Sequence, residues 1–383
     1  MNSLSFFAPT KQGVFLRRPN RFVAECLLEG KTVRAHMPNP GRMRELLFPG
    51  VTMWLAEGNE AKRTTAYSVV AVERDNQPVV LETLASNRIA RELLTRRAVP
   101  GWEDWQVAAA EVKEGAHRFD FLLENSKGET MLLEVKSCTL FGETGAMFPD
   151  AVTARGSSHV RTLTELAQNG RRCGVLFIVH AAQTQWFLPE YHTDPVFAAA
   201  LAAARPYVDI RAMSISWKPG FILDAAKKLD IPWNVYEQEG ADGGVYMAFL
   251  EVTADCRLQI GSLGEREFRA GYYVYVGSAA RGLEARVARH GRLRKKMHWH
   301  FDYLRQAALW KGALPIRTQE RLECSLAKAV RELAAGEIAG FGASDCHCGS
   351  HLFYFEQEPQ KQKSFQAMFQ RFRIDRLQGI LKK

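Results

Sequence analysis

The chain has 383 residues, a formal net charge of +9 and 46% hydrophobic residues. That length is a soft prior for two or three domains with real cores, and the basic balance favours a polyanionic partner over an acidic or neutral one. The longest apolar stretch, residues 196–204, is too short and alanine-rich to span a bilayer, which excludes a membrane partner. Seven irregularly spaced cysteines, with no secretory signal in residues 1–11, predict a reducing cytoplasm rather than a disulfide framework.

Residues 1–80 read as short strands at 22–28, 32–36, 51–56 and 67–72, punctuated by Glu29-Gly30, the turn at 38–41 and Glu57-Gly58-Asn59. Short strands at this spacing predict a small β-barrel of the oligonucleotide-binding (OB) kind. Arg17, Arg18, Arg21, Arg34, Arg42, Lys62 and Arg63 supply basic groups for phosphate contacts on it, although a solvated basic face has the same appearance.

From about Leu81 helices and strands alternate, which predicts an α/β domain over 81–223. A helix over 86–96 carries Ile89 and Leu93 at i, i+4, and a helix over 159–168 ends at Gly170. Residues 173–180 form a buried strand, and Asp194-Pro195 caps an alanine-rich helix. Between the first two helices the chain reads RFDFLLENSKGETMLLEVK. Alternate strand residues share a face, so Glu134 and Lys136 project together, and a hairpin through Asn125-Ser126-Lys127-Gly128 brings Asp120 beside them. Two carboxylates and an ammonium at one point suit a hard cation such as Mg²⁺ bound against a phosphate. A solvated hairpin with one Glu–Lys pair is the alternative.

Residues 224–242, with Lys227-Lys228, Pro232 and a Glu-Gln-Glu-Gly-Ala-Asp-Gly-Gly run, have linker chemistry. A further unit over 243–356 opens with strands at 244–252 and 271–279, then a helix on which Leu283, Arg286, Val287 and His290 share a flank. A helix over 319–333 has an apolar stripe of Leu322, Leu326, Val330 and Leu333, with Glu323 at its edge; a carboxylate there needs a cation or an ion-pair partner. Cys346, Cys348 and His351 offer ligands suited to Zn²⁺, but at tighter spacing than usual structural sites, and a packed turn with free thiols is the plainer reading. His298, His300 and Asp302 lie in HWHFDYL, where they could line a groove instead. Residues 357–383 read as a basic tail.

These stretches resemble two known families joined end to end. RPNRFVAE, AHMPNPGRMRELLFPG, HRFDF, LEVKS and FPDAVTARGSSH resemble the sugar fermentation stimulation protein A (SfsA) family. That resemblance implies an OB-like barrel before a PD-(D/E)XK restriction-endonuclease-like domain, and DNA as partner. GVY, YVYVGSA, GLEARVARH, HWHFDYL, RLEC and GFGASDCHCGSHLFYF resemble a GIY-YIG endonuclease subfamily, with Val245 and Val276 where the motif has isoleucine. The first resemblance implies Asp120, Glu134 and Lys136 as a Mg²⁺- or Mn²⁺-dependent core, with Glu111 as a further acidic ligand. It places Asp150, Arg155 and His159 in the loop and helix start that follow, His159 as a proton relay, a phosphate contact, or a capping or core histidine. The second implies Tyr246 and Tyr275 as the motif tyrosines, Arg286 as the arginine on the helix and Glu323 as the metal-ligating glutamate.

The expected fold is therefore α/β: a barrel, a nuclease-like domain and a GIY-YIG domain. The expected function is DNA binding with metal-dependent phosphodiester hydrolysis. A non-cleaving regulator of sugar-utilisation genes and an RNA-processing nuclease are the rivals, since a basic barrel does not tell RNA from DNA. Oligomeric state is not legible in the sequence.

Overall fold

Among the described residues, 5–58 and 65–382 of the computed structural model, the chain divides into two units, Met1–Trp233 and Asn234–Lys383. In the first, β1 (Thr10–Asn20), β2 (Val23–Leu28), β3 (Lys31–His36), β4 (Thr52–Glu57), β5 (Tyr67–Arg74) and β6 (Gln77–Val80) form one sheet in the order β3-β2-β1-β4-β5-β6. Parallel pairing of Ala35 with Tyr67 and His36 with Ser68 closes β1–β5 into a barrel. Alternating Ala24, Cys26 and Leu28, with Phe15, Met53 and Leu55, fill its interior. Register shifts on either side of Arg17 let β1 bend around the core. Asp75 and Asn76, at φ of 54° and 58°, make the two-residue turn into β6.

The sheet that follows has the order β15-β14-β12-β9-β8-β7. Its strands are β7 (Gln106–Glu114), β8 (His117–Glu124), β9 (Thr130–Cys138), β12 (Arg172–Val179), β14 (Asp209–Lys218) and β15 (Ile222–Lys228). The parallel centre, β9-β12-β14, is buried on both faces, which is why β12 reads as one apolar run. Helix α1 (Thr83–Thr95) covers one face through Ile89, Leu93 and Leu94. Helices α2 (Ala154–Gln168) and α3 (Pro195–Ala204) cover the other through Val160, Leu163, Phe197 and Leu201. Strands β10 (Leu140–Phe141), β11 (Gly145–Phe148) and β13 (Trp186–Pro189) form a small side sheet.

The second unit is built on the sheet β20-β16-β19-β22-β21. Its strands are β16 (Gly244–Val252), β19 (Gly271–Ala279), β20 (Leu309–Arg317), β21 (Gly336–Glu337) and β22 (Leu352–Phe355). Strands β16 and β19 pair in unbroken antiparallel register from Gly244↔Ala279 to Val252↔Gly271. The residues between them fold into a separate hairpin of β17 (Cys256–Gln259) and β18 (Glu265–Phe268). Helices α5 (Leu283–Gly291) and α6 (His300–Ala307) pack on one face, α7 (Glu323–Arg331) and α8 (Lys363–Gln370) on the other. No helix among the described residues is long and apolar enough to cross a membrane.

Three expectations change. The linker chemistry at 224–242 belongs to ordered structure: residues 224–228 lie in β15, an edge strand, and α4 (Trp233–Glu239) follows. The basic tail is folded, with Phe365, Phe369, Ile374 and Leu377 buried along α8, a π-helical segment Arg371–Asp375 and α9 (Leu377–Leu381). The helix expected over 319–333 is shorter, and Glu323 is its first residue.

Candidate active sites

The β8–β9 hairpin is regular only from Glu124↔Thr130 to Phe121↔Leu133, after which the strands part. Where they part, the Asp120 carboxylate replaces the missing backbone acceptor: Oδ2 receives the Val135 amide at 2.7 Å, and Oδ1 receives the Asn87 side-chain amide from α1 at 2.7 Å. Glu134 lies one residue along, buried between β12 and β8. Its Oε1 is 2.5 Å from Lys136 Nζ and 2.6 Å from His159 Nδ1 on α2. Oε2 of the same carboxylate is buried with no hydrogen-bond partner.

The electrostatics of the two carboxylates differ. Burial, and then the charge of Glu134, push the Asp120 carboxyl above its ordinary range. Burial acts in the same direction on Glu134, but hydrogen bonding to His159 and the Lys136 charge outweigh it and hold Glu134 below its ordinary range. Two carboxylates this close, one with a bare buried oxygen, form a donor set suited to a hard divalent cation.

These groups line a cleft of about 600 Å³. One wall belongs to the barrel, where Arg21 and Arg42 are exposed to the opening, and Arg155 at the start of α2 faces it from the other domain. Asp150 also lines the cleft and ties the walls together, its Oδ2 accepting the Met43 amide at 3.0 Å. A Cβ on Gly41 would overlap that carboxylate, so the close approach needs glycine.

Several expected site residues have other places. Glu111 is exposed on β7, 3.7 Å from Arg118, and is not part of the cleft lining. Arg17 pairs with Glu25 on the barrel surface at 2.6 Å, away from the cleft. Arg18 is turned inward: it donates to the carbonyls of Arg21, Asn39 and Gly41 at 2.6, 2.9 and 2.6 Å and so holds the loop that presents Arg21 and Arg42. Lys62 and Arg63 lie outside the described residues. His159 is buried, with Nδ1 2.6 Å from Glu134 Oε1, and is not part of the cleft lining.

In the second unit Tyr246, Tyr275, Arg286, Glu323, His298 and His300 share a cavity of about 220 Å³. Tyr246 on β16 has its hydroxyl 2.7 Å from His290 Nε2. Burial, then the nearby Lys295, push His290 down to about 3, so the ring is neutral; burial pushes Tyr246 and Tyr275 up. Arg286 stacks on Trp299 at 4.5 Å. Trp299 in turn is held by Asp302, which is fully buried and receives Arg289, Lys295 and the His298 and Trp299 amides at 2.9–3.2 Å. Those contacts overcome burial and hold Asp302 down at about 2. Glu323 accepts the Ser278 hydroxyl and lies 3.3 Å from His351 Nδ1. His300 accepts the Gly342 amide at 3.2 Å. Cys346, Cys348 and His351 come together on the other side of Glu323, with Cys324 joining them.

Sequence reasoning missed Asn87, Ser278 and Trp299, which meet Asp120, Glu323 and Arg286; each of these partners is distant in sequence, and no local spacing signals it.

Comparison with known proteins follows the same division. Residues 16–81 match the SfsA N-terminal OB domain, residues 84–221 the sugar fermentation stimulation protein RE domain, and residues 245–374 a domain of unknown function, DUF123. The sugar fermentation stimulation protein homolog of Chloroflexus aurantiacus is 40% identical over 202 residues, 53% of this chain and 78% of that protein. The homolog of Clostridium acetobutylicum is 36% identical over 208 residues, 54% of this chain and 90% of that protein. Pyrococcus furiosus SfsA, solved in complex with Ca²⁺, is similar at a TM-score of 0.56 and 27% identity, covering 60% of this chain and 99% of that one.

Proposed function

Because the chain belongs to the sugar fermentation stimulation protein family, we propose that it binds DNA in the cleft between its barrel and RE domain and hydrolyses a phosphodiester there with a divalent cation. The observation that carries this reading is the convergence of Asp120, Glu134 and Lys136 beneath three exposed arginines, with Glu134 Oε2 buried and unpartnered. Asp120 and Glu134 would hold the cation; Ca²⁺ in the similar Pyrococcus furiosus protein supports a hard ion. When bound, such an ion supplies charge against the phosphate oxygens and acidifies water. Arg21, Arg42 and Arg155 bind the backbone, His159 fixes the Glu134 carboxylate, and Lys136 is placed to orient the attacking water or steady the negative charge of the pentavalent phosphate.

The second unit we read as a separate, GIY-YIG-like centre. Tyr246, its hydroxyl fixed 2.7 Å from His290 Nε2, is placed to orient the attacking water, Arg286 meets the phosphate charge, and Glu323 would be the carboxylate ligand for Mg²⁺ or Mn²⁺.

The test is incubation of the purified full chain with labelled duplex, single-stranded and branched DNA, and with RNA, in Mg²⁺, Mn²⁺ or EDTA. We expect cleavage of DNA that EDTA abolishes, reduced at least a hundredfold when Asp120→Ala and Glu323→Gln are combined, with each single variant losing one centre's products. Binding without cleavage under every metal would instead make the protein a non-cleaving DNA-binding regulator. Cleavage confined to RNA would make it an RNA-processing nuclease.

A further inference from the structure

The side of the second unit behind Glu323 gathers ligands of a different chemistry. Cys324 stands in the first turn of α7, Cys346 and Cys348 in the loop before β22, and His351 at the end of that loop. Their ligand atoms all lie within 4.8 Å of one another, and Cys346 Sγ is 3.4 Å from His351 Nε2. Zinc bound at about 2.3 Å to sulfur and about 2.0–2.1 Å to nitrogen spaces tetrahedral S and N donors about 3.6 Å apart. The Cys346–His351 edge already has that length, and the rest needs only a small inward movement of side chains.

His351 adds an independent observation. Its Nδ1 is buried without a well-aligned partner, 3.3 Å from Glu323 Oε1. A ligating imidazole characteristically gives its other ring N–H to a carboxylate, and coordination through Nε2 leaves the proton on Nδ1, facing Glu323. The same loop supplies Gly342, Ser344 and Asp345 to the cavity, while Glu323 and Cys324 are chain neighbours. An ion held by these four residues would join both walls of the cavity.

We propose that Cys324, Cys346, Cys348 and His351 form a closed Cys₃His centre for one Zn²⁺, and that through His351 this centre sets the orientation of Glu323. The zinc centre stands on the ligand geometry alone; the effect on Glu323 rests on reading the cavity as a nuclease centre. His351 is a positioning residue for Glu323.

The experiment uses the full chain, produced in zinc-supplemented medium and purified without chelators. Elemental analysis should find one zinc per chain. Exchange for Co²⁺ should give thiolate charge-transfer absorption and the intense visible bands of a tetrahedral site. Cys346→Ser combined with Cys348→Ser should lose both signals, and Cys256→Ser should keep them. His351→Cys retains four ligands and the zinc but removes the imidazole between metal and Glu323. In an Asp120→Ala background it should lower kcat on DNA by about tenfold or more, with KM little changed. Wild-type protein with neither zinc nor a tetrahedral cobalt spectrum, or with two of the three cysteines joined in a metal-free disulfide, would overturn the centre, as would a double serine variant that keeps its zinc. A His351→Cys variant with zinc and full kcat would overturn the positioning role. If the zinc-bound chain cuts no DNA in the Asp120→Ala background, the nuclease reading of this cavity falls, and the positioning role with it, while the zinc content still stands.

Discussion

Asp120 and Glu134 share one cleft yet oppose each other in the energetics of the fold. Asp120 has its carboxyl raised, so the fold favours its protonated form; that contribution is fully present below the ordinary carboxylate range and is lost as pH rises through the raised value. Glu134 is depressed, so its contribution is present above the ordinary range and is lost as pH falls through the lowered value. At neutral pH and without metal, Asp120→Asn should therefore stabilise the protein and Glu134→Gln destabilise it. Each effect should be about 1 kcal/mol, or about 2–4 °C in melting temperature. Thermal melts in EDTA check this; a loss of stability in Asp120→Asn would mean that its hydrogen bonds outweigh its burial. Adding Ca²⁺ should raise the melting temperature of the wild type more than that of either variant, because the ion binds the folded carboxylate pair. Strand periodicity made the shared face of Glu134 and Lys136 legible, and the Asn-Ser-Lys-Gly turn made the return of Asp120 legible. The partners that tune them, Asn87 and His159, sit on helices 33 and 25 residues away from Asp120 and Glu134, and pairwise contacts at that separation leave no local pattern.

Among the elements, the misread segments share a cause. Residues 224–228 carry Asp224, Lys227 and Lys228 because β15 is a sheet edge, where charge guards against unwanted strand pairing, and such an edge has a linker's composition. The final helices are basic by count, but their apolar residues fall on one face, and only periodicity reveals it. The cleft itself depends on two loops, the barrel turn around Gly41 and the segment of Asp150, pressed together without room for a Cβ. Gly41→Ala must displace the Asp150 carboxylate from the Met43 amide. We expect it to cost about 1–3 kcal/mol in stability. It should also weaken DNA binding by shifting Arg42, while Gly50→Ala, at a glycine with open space around it and φ of 96°, should cost only the local backbone strain and leave binding unchanged. Melting temperature and a binding isotherm read the two effects together; unchanged affinity in Gly41→Ala would separate the loop contact from the DNA surface.

For the molecule as a whole, the net charge of +9 foretells a polyanion but not where it lies, since most basic side chains are spread over the surface or occupied, as Arg17 and Arg18 are. The concentration of Arg21, Arg42 and Arg155 around one opening is a property of the folded chain, produced when a barrel turn and a helix start converge. DNA affinity should fall steeply with salt. Replacing Arg42 by alanine should reduce the slope of log K against log salt by about 0.9, the loss of one phosphate contact, whereas Arg17→Ala should leave it unchanged. Equal slopes for both variants would place the DNA elsewhere. The fold class was legible from alternation and turn residues, because local rules govern those. The convergence of loops was not, because it depends on how separate elements meet. The closing helices of the second unit have one more consequence. Arg376, in its last turns, donates to Glu239 at 2.5 Å and to the Arg317 carbonyl at 3.2 Å, so the path by which the backbone enters this unit and the path by which it leaves are clasped at one spot. A body whose entrance and exit adjoin can be moved as a cassette: grafted into a surface loop of another protein, or cut open elsewhere and rejoined there, with few added residues and no rearrangement of its interior.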